Sequence, residues 1–131
     1  MLVHKHLIIR AEVAKPPQDA QMISEIWLPE LIESIGMKTL MGPYSIYHDT
    51  PNNRGLTAVA IIETSHIALH VWDEDDPAML QLDVYTCGPL DPVLVSTALE
   101  NFEPVKVEMK YLDREHNLIE IPIAVEGGYT G

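Results

Sequence analysis

Sequence features that would mark a secreted, membrane-bound or disulfide-linked protein are missing. The chain has one cysteine, Cys87, so no intrachain disulfide can form. No apolar run approaches the roughly 20 residues that a membrane helix requires. Residues 1–6 carry neither the apolar segment nor the small-residue cleavage site of a signal peptide. These absences lead us to expect a cytoplasmic protein that does not contact a membrane.

Basic residues are also scarce. Eight lysines and arginines stand against twenty aspartates and glutamates, which gives a formal net charge of −12. A surface of this charge repels phosphate backbones and anionic lipids, so nucleic acid and membranes are poor candidate partners. The same charge suits a small cationic ligand.

The composition is that of a globular protein. Hydrophobic residues make up 47% of the 131 residues, and the ten prolines and seven glycines are scattered along the chain. This length is enough for one hydrophobic core and too short for two. We therefore expect residues 1–131 to form a single domain.

Apolar periodicity predicts several strands and two helical stretches. The first helical stretch is expected over 19–36, with Asp19 as its N-cap and Pro29 either kinking it or opening a second short helix. The second is expected over 92–101, with Asp91 as its N-cap. The expected strands are 2–13, 39–48, 56–62, 66–72, 80–86, 105–112 and 118–125.

This order of elements describes an α+β two-layer sandwich, with a mostly antiparallel sheet and helices on one face. Polar turns are expected at 49–55 and 73–77, and a loose tail from Gly127. The other face of the sheet must also be covered, and a partner subunit is one way to cover it.

Nearly every reactive side-chain type of the chain falls between Gly55 and Gly88. A serine followed by histidines and a later thiol fits three classes of site. The candidate residues are Thr57, Glu63, Ser65, His66, His70, Glu74, Asp83 and Cys87.

Two of these classes are minor alternatives. A hydrolase could use Ser65 or Cys87 as its nucleophile, but the chain lacks the Gly-x-Ser-x-Gly elbow and the flanking residues of the common cysteine proteases. A metal site could use His66 and His70, but residues four apart on a strand are separated by about 13 Å. We expect no metal.

The third interpretation rests on a resemblance over about residues 3–113. Four segments carry it, and they occur in the order Lys5-His6-Leu7-Ile8, Gly55-Leu56-Thr57-Ala58, Ser65-His66-Ile67-Ala68-Leu69-His70-Val71-Trp72 and Asp83-Val84-Tyr85-Thr86-Cys87-Gly88. Together they resemble the core of the bacterial and archaeal S-adenosylmethionine decarboxylases, which build a pyruvoyl cofactor from one of their own serines.

The resemblance implies self-cleavage between Thr64 and Ser65, which gives a β chain of residues 1–64 and an α chain of residues 65–131. Ser65 would become the covalent pyruvoyl group, which forms a Schiff base with the substrate amine. Such a ketone accepts the electrons left behind when carbon dioxide departs.

The resemblance also assigns roles to neighbouring residues. His70 matches the base of the elimination step, and Cys87 matches the thiol that donates a proton to the product. Thr57 stands where the family has a serine that stabilises the oxyanion of the cleavage reaction. A threonine hydroxyl can do the same.

Substrate contacts follow from the same likeness. Glu74 takes the place of the glutamate that binds the ribose hydroxyls, Tyr47 could supply a ring for adenine, and Thr64 and His66 flank Ser65. The implied substrate is S-adenosylmethionine, decarboxylated to make the aminopropyl donor for spermidine. The implied assembly is a homodimer of αβ units with residues from both protomers at each active site.

Three departures from the family pattern keep alternatives open. Thr64 replaces a glutamate, the segment 49–55 replaces one whose phenylalanine stacks on adenine, and the turn after Trp72 is longer and more acidic. Extra carboxylates favour a more cationic substrate, so a decarboxylase of arginine or ornithine is one alternative. An unprocessed homologue that acts as a binding or regulatory subunit is the other.

Overall fold

Seven antiparallel strands form one sheet in the computed structural model, which describes residues 3–63 and 65–123. The strands are β1 (Lys5–Val13), β2 (Thr39–Thr50), β3 (Asn53–Ile62), β4 (Ser65–Trp72), β5 (Ala78–Thr86), β6 (Pro104–Asp113) and β7 (Ile119–Glu120). Their order across the sheet is β2-β3-β4-β5-β1-β6-β7, so the first strand of the chain lies inside the sheet.

The helical elements cover one face of this sheet. They are α1 (Ala20–Met22), a π-helical turn (Ile23–Trp27), α2 (Leu28–Ser34), α3 (Pro92–Leu99) and a 3-10 turn (Glu100–Phe102). None of the helices in the described ranges has the length and apolarity that crossing a membrane requires. The predicted α+β two-layer sandwich is confirmed.

Pro29 opens a new helical segment, which is one of the two predicted alternatives. Asp19 caps the stretch, since its side chain accepts a hydrogen bond from the Met22 amide at 3.2 Å. The π-helical turn closes with the Leu28 amide donating to the Ile23 carbonyl, and Pro29 follows in the first turn of α2. A proline has no amide to donate, so the first turn of a helix is where it fits.

The strand ends differ from the predicted ones. The long turn predicted over 49–55 is wrong, because Thr50 pairs with Asn53 in a tight hairpin around Asn52, which has a φ of 65°. Asparagine tolerates this left-handed conformation better than most residues. The predicted tail from Gly127 lies outside the described residues.

Alternate strand residues point toward the helices and form the core. On β4 the predicted inward positions Ile67, Leu69 and Val71 are buried as expected. Each fully buried aliphatic side chain contributes about 1.5–3 kcal/mol relative to exposure. Other core members are Leu7, Ile9, Ile23, Leu28, Leu31, Leu56, Leu80, Leu82, Val95 and Leu99.

The opposite face of the sheet, which we call the outer face, has no covering layer among the described residues. Cross-strand pairing arranges its side chains in rows across β3, β4, β5 and β1. Three successive rows are Ile61-His66-Tyr85-His6, Val59-Ala68-Asp83-Ile8 and Thr57-His70-Gln81-Arg10. The exposed large apolar side chains on this face include Ile8, Tyr44, Ile46, Val59 and Ile61.

Gly55 lets β3 approach the end of β4. A Cβ atom at this position would lie 1.8 Å from the Val71 carbonyl oxygen, and the φ of Gly55 is 155°. Both facts restrict the position to glycine. Gly55 pairs with Trp72, the last residue of β4. The missing side chain at position 55 therefore lets this end of β4 lie close to the β2–β3 hairpin.

The variant Gly55→Ala should lower the free energy of unfolding by about 3 kcal/mol or more, because backbone must move to admit the methyl group. Gly36→Ala is the matched control. Gly36 also has a positive φ, 76°, but its Cβ would meet nothing within 4 Å. Its loss should be about 1–2 kcal/mol, the cost of a left-handed alanine. Equal losses in urea unfolding would contradict the close approach of the strands.

Candidate active site

Ser65 opens β4 and is buried. The residue is 7% exposed, and its Oγ is the one buried side-chain nitrogen or oxygen in the described ranges without a hydrogen-bond partner. Leaving a buried hydroxyl unpaired costs about 1–3 kcal/mol. An unpaired group of this kind calls for a functional explanation. Thr64, the predicted substrate contact before it, lies outside the described residues.

Cys87 lies beside the segment that leads to Ser65. Its Sγ donates a hydrogen bond to the Glu63 carbonyl oxygen at 2.9 Å, and the residue is buried. Cys87 follows β5, the strand that pairs with β4. The thiol and the serine hydroxyl therefore belong to one end of the sheet.

Thr57 and His70 form a second group on the outer face. They are cross-strand partners on β3 and β4, and Thr57 Oγ1 lies 3.3 Å from His70 Nδ1. The Trp72 ring is next along the strand, with its centroid 6.0 Å from that of His70. A hydroxyl in contact with an imidazole is suited to acid–base chemistry and to donating a hydrogen bond to an oxyanion.

The two groups do not meet within one chain. Ser65 shares the buried face of β4 with Ile67, whereas His70 is on the outer face. The step of five residues from Ser65 to His70 spans about 16 Å of extended strand. Because the step is odd, the two side chains also point to opposite sides of the sheet.

Glu74 lies beyond the end of β4, at the edge of a groove of about 580 Å³. Its carboxylate accepts hydrogen bonds from the backbone amides of Arg54 at 3.0 Å and Asn52 at 3.3 Å. Trp72, Glu12 and other side chains line the same groove. Glu74 and the Thr57–His70 pair are thus at the same end of the sheet, away from Ser65.

Asp73 is a buried carboxylate that the sequence interpretation did not recognise as structural. Its side chain accepts hydrogen bonds from Tyr47 Oη at 2.8 Å, Gln18 Nε2 at 2.9 Å and Arg54 Nε at 2.8 Å. Burial alone would raise the pKa of Asp73, but the hydrogen bonds from Arg54, Gln18 and Tyr47 outweigh it and hold the pKa below its ordinary value. Asp73 therefore belongs to an internal ion pair and is not free to attract a cationic ligand.

This network also includes Tyr47, the expected ring contact for adenine, and that expectation stays a prediction. Tyr47 pairs with the buried Leu56, so it lies on the helix side of the sheet, and its hydroxyl is committed to Asp73. Burial and then the hydrogen bond to Asp73 raise the pKa of Tyr47, which keeps it a donor. The aromatic ring beside the groove is that of Trp72.

His66 is part of a cluster of rings at the Ser65 end of the outer face. Tyr85 is at its centre, with ring centroids 5.6 Å from His66 and 5.8 Å from His6. The Arg114 guanidinium lies over the Tyr85 ring at 4.1 Å, and His4 Nδ1 is 3.2 Å from the Tyr85 hydroxyl. The sequence interpretation placed only His66 near the site. The shared row of His66, Tyr85 and His6 became visible only with the strand register.

The fold and these groups define an α+β sandwich protein with a buried serine and a buried thiol at one end of its sheet. A model of the S-adenosylmethionine decarboxylase family matches residues 5–115. The chain belongs to this family, as the resemblance of its motifs indicated.

Individual relatives agree with this assignment. The S-adenosylmethionine decarboxylase proenzyme of Archaeoglobus fulgidus is 27% identical over 116 residues, which are 87% of this chain and 99% of that protein. The proenzyme of Pyrobaculum arsenaticum is 42% identical over 64 residues, so that match spans about half of each chain. These identities make this chain a divergent member.

A solved structure shows the same fold. The adenosylmethionine decarboxylase from Aquifex aeolicus superimposes with a TM-score of 0.60 over 97% of both chains, at 19% identity. The seven-stranded sheet with helices on one face is therefore the fold of a known decarboxylase structure.

The variant Asp73→Asn should destabilise the protein by about 2–3 kcal/mol, which is below the roughly 3–5 kcal/mol of a fully buried pair because Arg54 is partly exposed. Folding lowers the pKa of Asp73, so its charge stabilises the fold above about pH 4 and this contribution is lost as the pH falls through the lower folded-state pKa. The difference in unfolding free energy between wild type and variant should shrink only in that acid range.

Asp75→Asn is the matched control, since Asp75 is an exposed carboxylate of the same turn. It should change stability by less than about 0.5 kcal/mol. Urea unfolding at several pH values measures both variants. A loss for Asp73→Asn that is the same at about pH 3 as at neutral pH would show that the charge of Asp73 is not what stabilises the turn.

Proposed function

We propose that this protein is a pyruvoyl-dependent S-adenosylmethionine decarboxylase that cleaves itself between Thr64 and Ser65. The observation that carries the proposal is the buried Ser65 Oγ without a partner, on a segment that the Cys87 thiol contacts. The word proenzyme in the names of the relatives supports a precursor that must be converted. Cleavage gives a β chain of residues 1–64 and an α chain of residues 65–131.

The cleavage chemistry uses the chain's own atoms and one water. Ser65 Oγ attacks the Thr64 carbonyl carbon, the peptide C–N bond breaks, and the nitrogen takes up the proton, which leaves an ester. A base then removes the Ser65 Cα proton while the bond from Cβ to the ester oxygen breaks, and the Thr64 carboxylate leaves. Water then displaces the nitrogen as ammonia, so that a pyruvoyl ketone remains at the head of the α chain. When present, that ketone is the electron sink for decarboxylation.

One protomer does not bring its own His70 to Ser65, because about 16 Å of extended strand separates them. Under the proposal, the Thr57–His70 pair acts on Ser65 of a second copy. Thr57 then donates to the oxyanion of the attack, and His70 takes the Cα proton. A homodimer that packs outer face on outer face, with the strands running in opposite senses, places the His70 end of one protomer over the Ser65 end of the other, where His70 approaches the backbone of the cleavage site.

The outer face has properties that suit this dimer. It carries exposed apolar side chains such as Ile8, Val59 and Ile61, and no layer of the described chain covers it. Both ends carry charges of both signs. Arg10 lines the groove with Glu12 and pairs with it, and His6 pairs with Asp83 at the Ser65 end. The exposed apolar side chains are therefore the feature that favours the outer face as the dimer contact.

The remaining roles follow from position. Cys87, the thiol at the Ser65 end, is the proposed proton donor to the product. Glu74 uses part of its carboxylate on two backbone amides and keeps lone pairs for ribose hydroxyls. Trp72 is proposed as a ring contact alongside Tyr47, since it lines the groove beside Glu74. His66 is proposed to contact substrate next to the pyruvoyl position.

A second candidate is decarboxylation of arginine or ornithine by the same chemistry. The acidic turn after Trp72 favours it, since Glu74 and Asp75 both line the groove and carboxylates attract a basic side chain. Carbon dioxide release from labelled S-adenosylmethionine, arginine and ornithine separates the two candidates. Turnover of arginine or ornithine in preference to S-adenosylmethionine would replace the first proposal by the second.

Purified wild-type protein should appear on a denaturing gel and by intact mass as two fragments, 1–64 and a pyruvoyl-bearing 65–131. Ser65→Ala should remain one chain and release no carbon dioxide, because it lacks the attacking oxygen. Ser96→Ala is the control, since Ser96 is a buried serine on α3 that bonds within its own helix. A wild-type chain that stays whole, or an active Ser65→Ala variant, would contradict self-cleavage.

Complementation tests the shared site. His70→Ala alone should cleave more slowly by about 100-fold or more, the size of a typical general-base effect. Co-expressed with a tagged Ser65→Ala chain, which is uncleavable but supplies an intact His70, the His70→Ala chain should be cut. His116→Ala, a loop histidine, is the control and should cleave at the wild-type rate. Lack of rescue in a verified mixed dimer would show that His70 acts within its own chain.

A further inference from the structure

The single thiol of the chain is engaged in the uncleaved structure. Cys87 Sγ donates to the Glu63 carbonyl oxygen at 2.9 Å. The backbone around the thiol is itself held, because the Cys87 carbonyl accepts from the Val3 amide at 3.1 Å. Next to it, Thr86 Oγ1 donates to the Gly88 carbonyl at 2.9 Å, a bond that includes neither Cys87 nor Glu63. The backbone of Cys87 is therefore held in place, and its thiol contacts the carbonyl oxygen of Glu63, two residues before Ser65.

The segment before Ser65 is anchored on both sides. The Glu63 amide donates to the Lys38 carbonyl at 3.2 Å, and the Glu63 carbonyl receives the thiol proton. On the other side, Ser65 is paired with Ile62 in the β3–β4 ladder. Glu63 and Ser65, the residues on either side of Thr64, are thus each held by hydrogen bonds or strand pairing. An attack by a side-chain oxygen on the preceding carbonyl depends strongly on that geometry.

A thiol proton can be directed at one acceptor at a time. While Glu63 belongs to an intact segment, its carbonyl occupies the thiol. Cutting the chain after residue 64 gives the β chain a free end only one residue beyond Glu63, and chain ends are the parts of a fold that are least constrained. The acceptor can then move away from the thiol.

We propose that Cys87 is a latch for the cleavage segment, an inference that rests on the proposed self-cleavage. Before cleavage its thiol fixes the Glu63 carbonyl and so positions the bond that Ser65 attacks. Cleavage releases that carbonyl, and the same thiol becomes free to donate its proton to the decarboxylation product. Cys87 is then a positioning residue in the precursor and a catalytic residue in the mature enzyme.

Cleavage rates of purified precursor test the first half. Cys87→Ala should cleave about 3- to 10-fold more slowly, the loss expected from one hydrogen bond. Cys87→Ser keeps a donor on the same carbon and should cleave within about twofold of wild type. Because an alcohol is a far weaker acid than a thiol, the cleaved serine variant should still decarboxylate poorly. If Cys87 had only a structural role, Cys87→Ser would affect the cleavage rate and the decarboxylation rate in the same way.

Thr86→Val is the matched control. It removes a buried hydroxyl adjacent to Cys87 whose hydrogen bond goes to Gly88 and not to the cleavage segment. Its cleavage rate should equal that of wild type. Slowing equal to that of Cys87→Ala would show that general loosening of this end of β5 is enough, and would overturn the latch.

Thiol labelling tests the second half, since Cys87 is the only cysteine and any label reports on it alone. Iodoacetamide should modify the uncleavable Ser65→Ala chain at least about tenfold more slowly than cleaved wild type, because reactivity follows access to the thiol. Equal labelling rates would overturn the release step. Wild type that cleaves, with Cys87→Ala cleaving at the same rate, would overturn the latch alone. Wild type that never cleaves would contradict self-cleavage, and the latch with it.

Discussion

The alternation of side chains along β4 is the constraint on which the rest of the site depends. β4 is paired on both sides, with β3 and β5, so its residues cannot twist away from their faces. Ser65 and His70 are separated by an odd number of residues, and no choice of rotamer joins side chains about 16 Å apart on opposite sides of a sheet. Under the role proposed for His70, cleavage at Ser65 therefore uses a second chain, and the uncovered outer face is the proposed contact between the two chains.

The end of β4 at Trp72 is held by hydrogen bonds to the buried carboxylate of Asp73, whereas the middle of the strand is held by apolar packing. Asp73 follows Trp72 directly, and its three side-chain donors come from three separate parts of the chain: Gln18, Tyr47 and Arg54. A buried carboxylate is stable only while its donors stay in place. The network therefore holds Trp72 and Glu74 against the β2–β3 hairpin, which gives the groove a rigid edge.

Local signals in the sequence predicted much of this fold. Asp19 and Asp91 cap helices as expected, and Ile67, Leu69 and Val71 are buried because strand alternation is a short-range property. Motif order likewise identified the family. What the sequence could not provide was register between distant strands, which sets the partners of Asp73, the position of Tyr47 and the bond from Cys87 to Glu63. The separation of Ser65 and His70 on opposite faces could be predicted, because strand periodicity places residues five apart on opposite sides of a sheet.

Two of the three departures from the family pattern fall at the groove end of the site and are coupled to each other, whereas the third, Thr64, is next to Ser65 in the sequence. The hairpin that replaces the aromatic segment contains Arg54, and the longer turn after Trp72 contains Asp73, its ion-pair partner. Either change alone would cost stability, because it would leave one member of the pair without its counter-ion. Ser65 and Cys87, by contrast, keep the motif of the family. The serine and the thiol of the proposed cleavage end are therefore kept while the groove end is rebuilt, so the divergence bears on the proposed substrate contacts more than on the proposed cleavage chemistry.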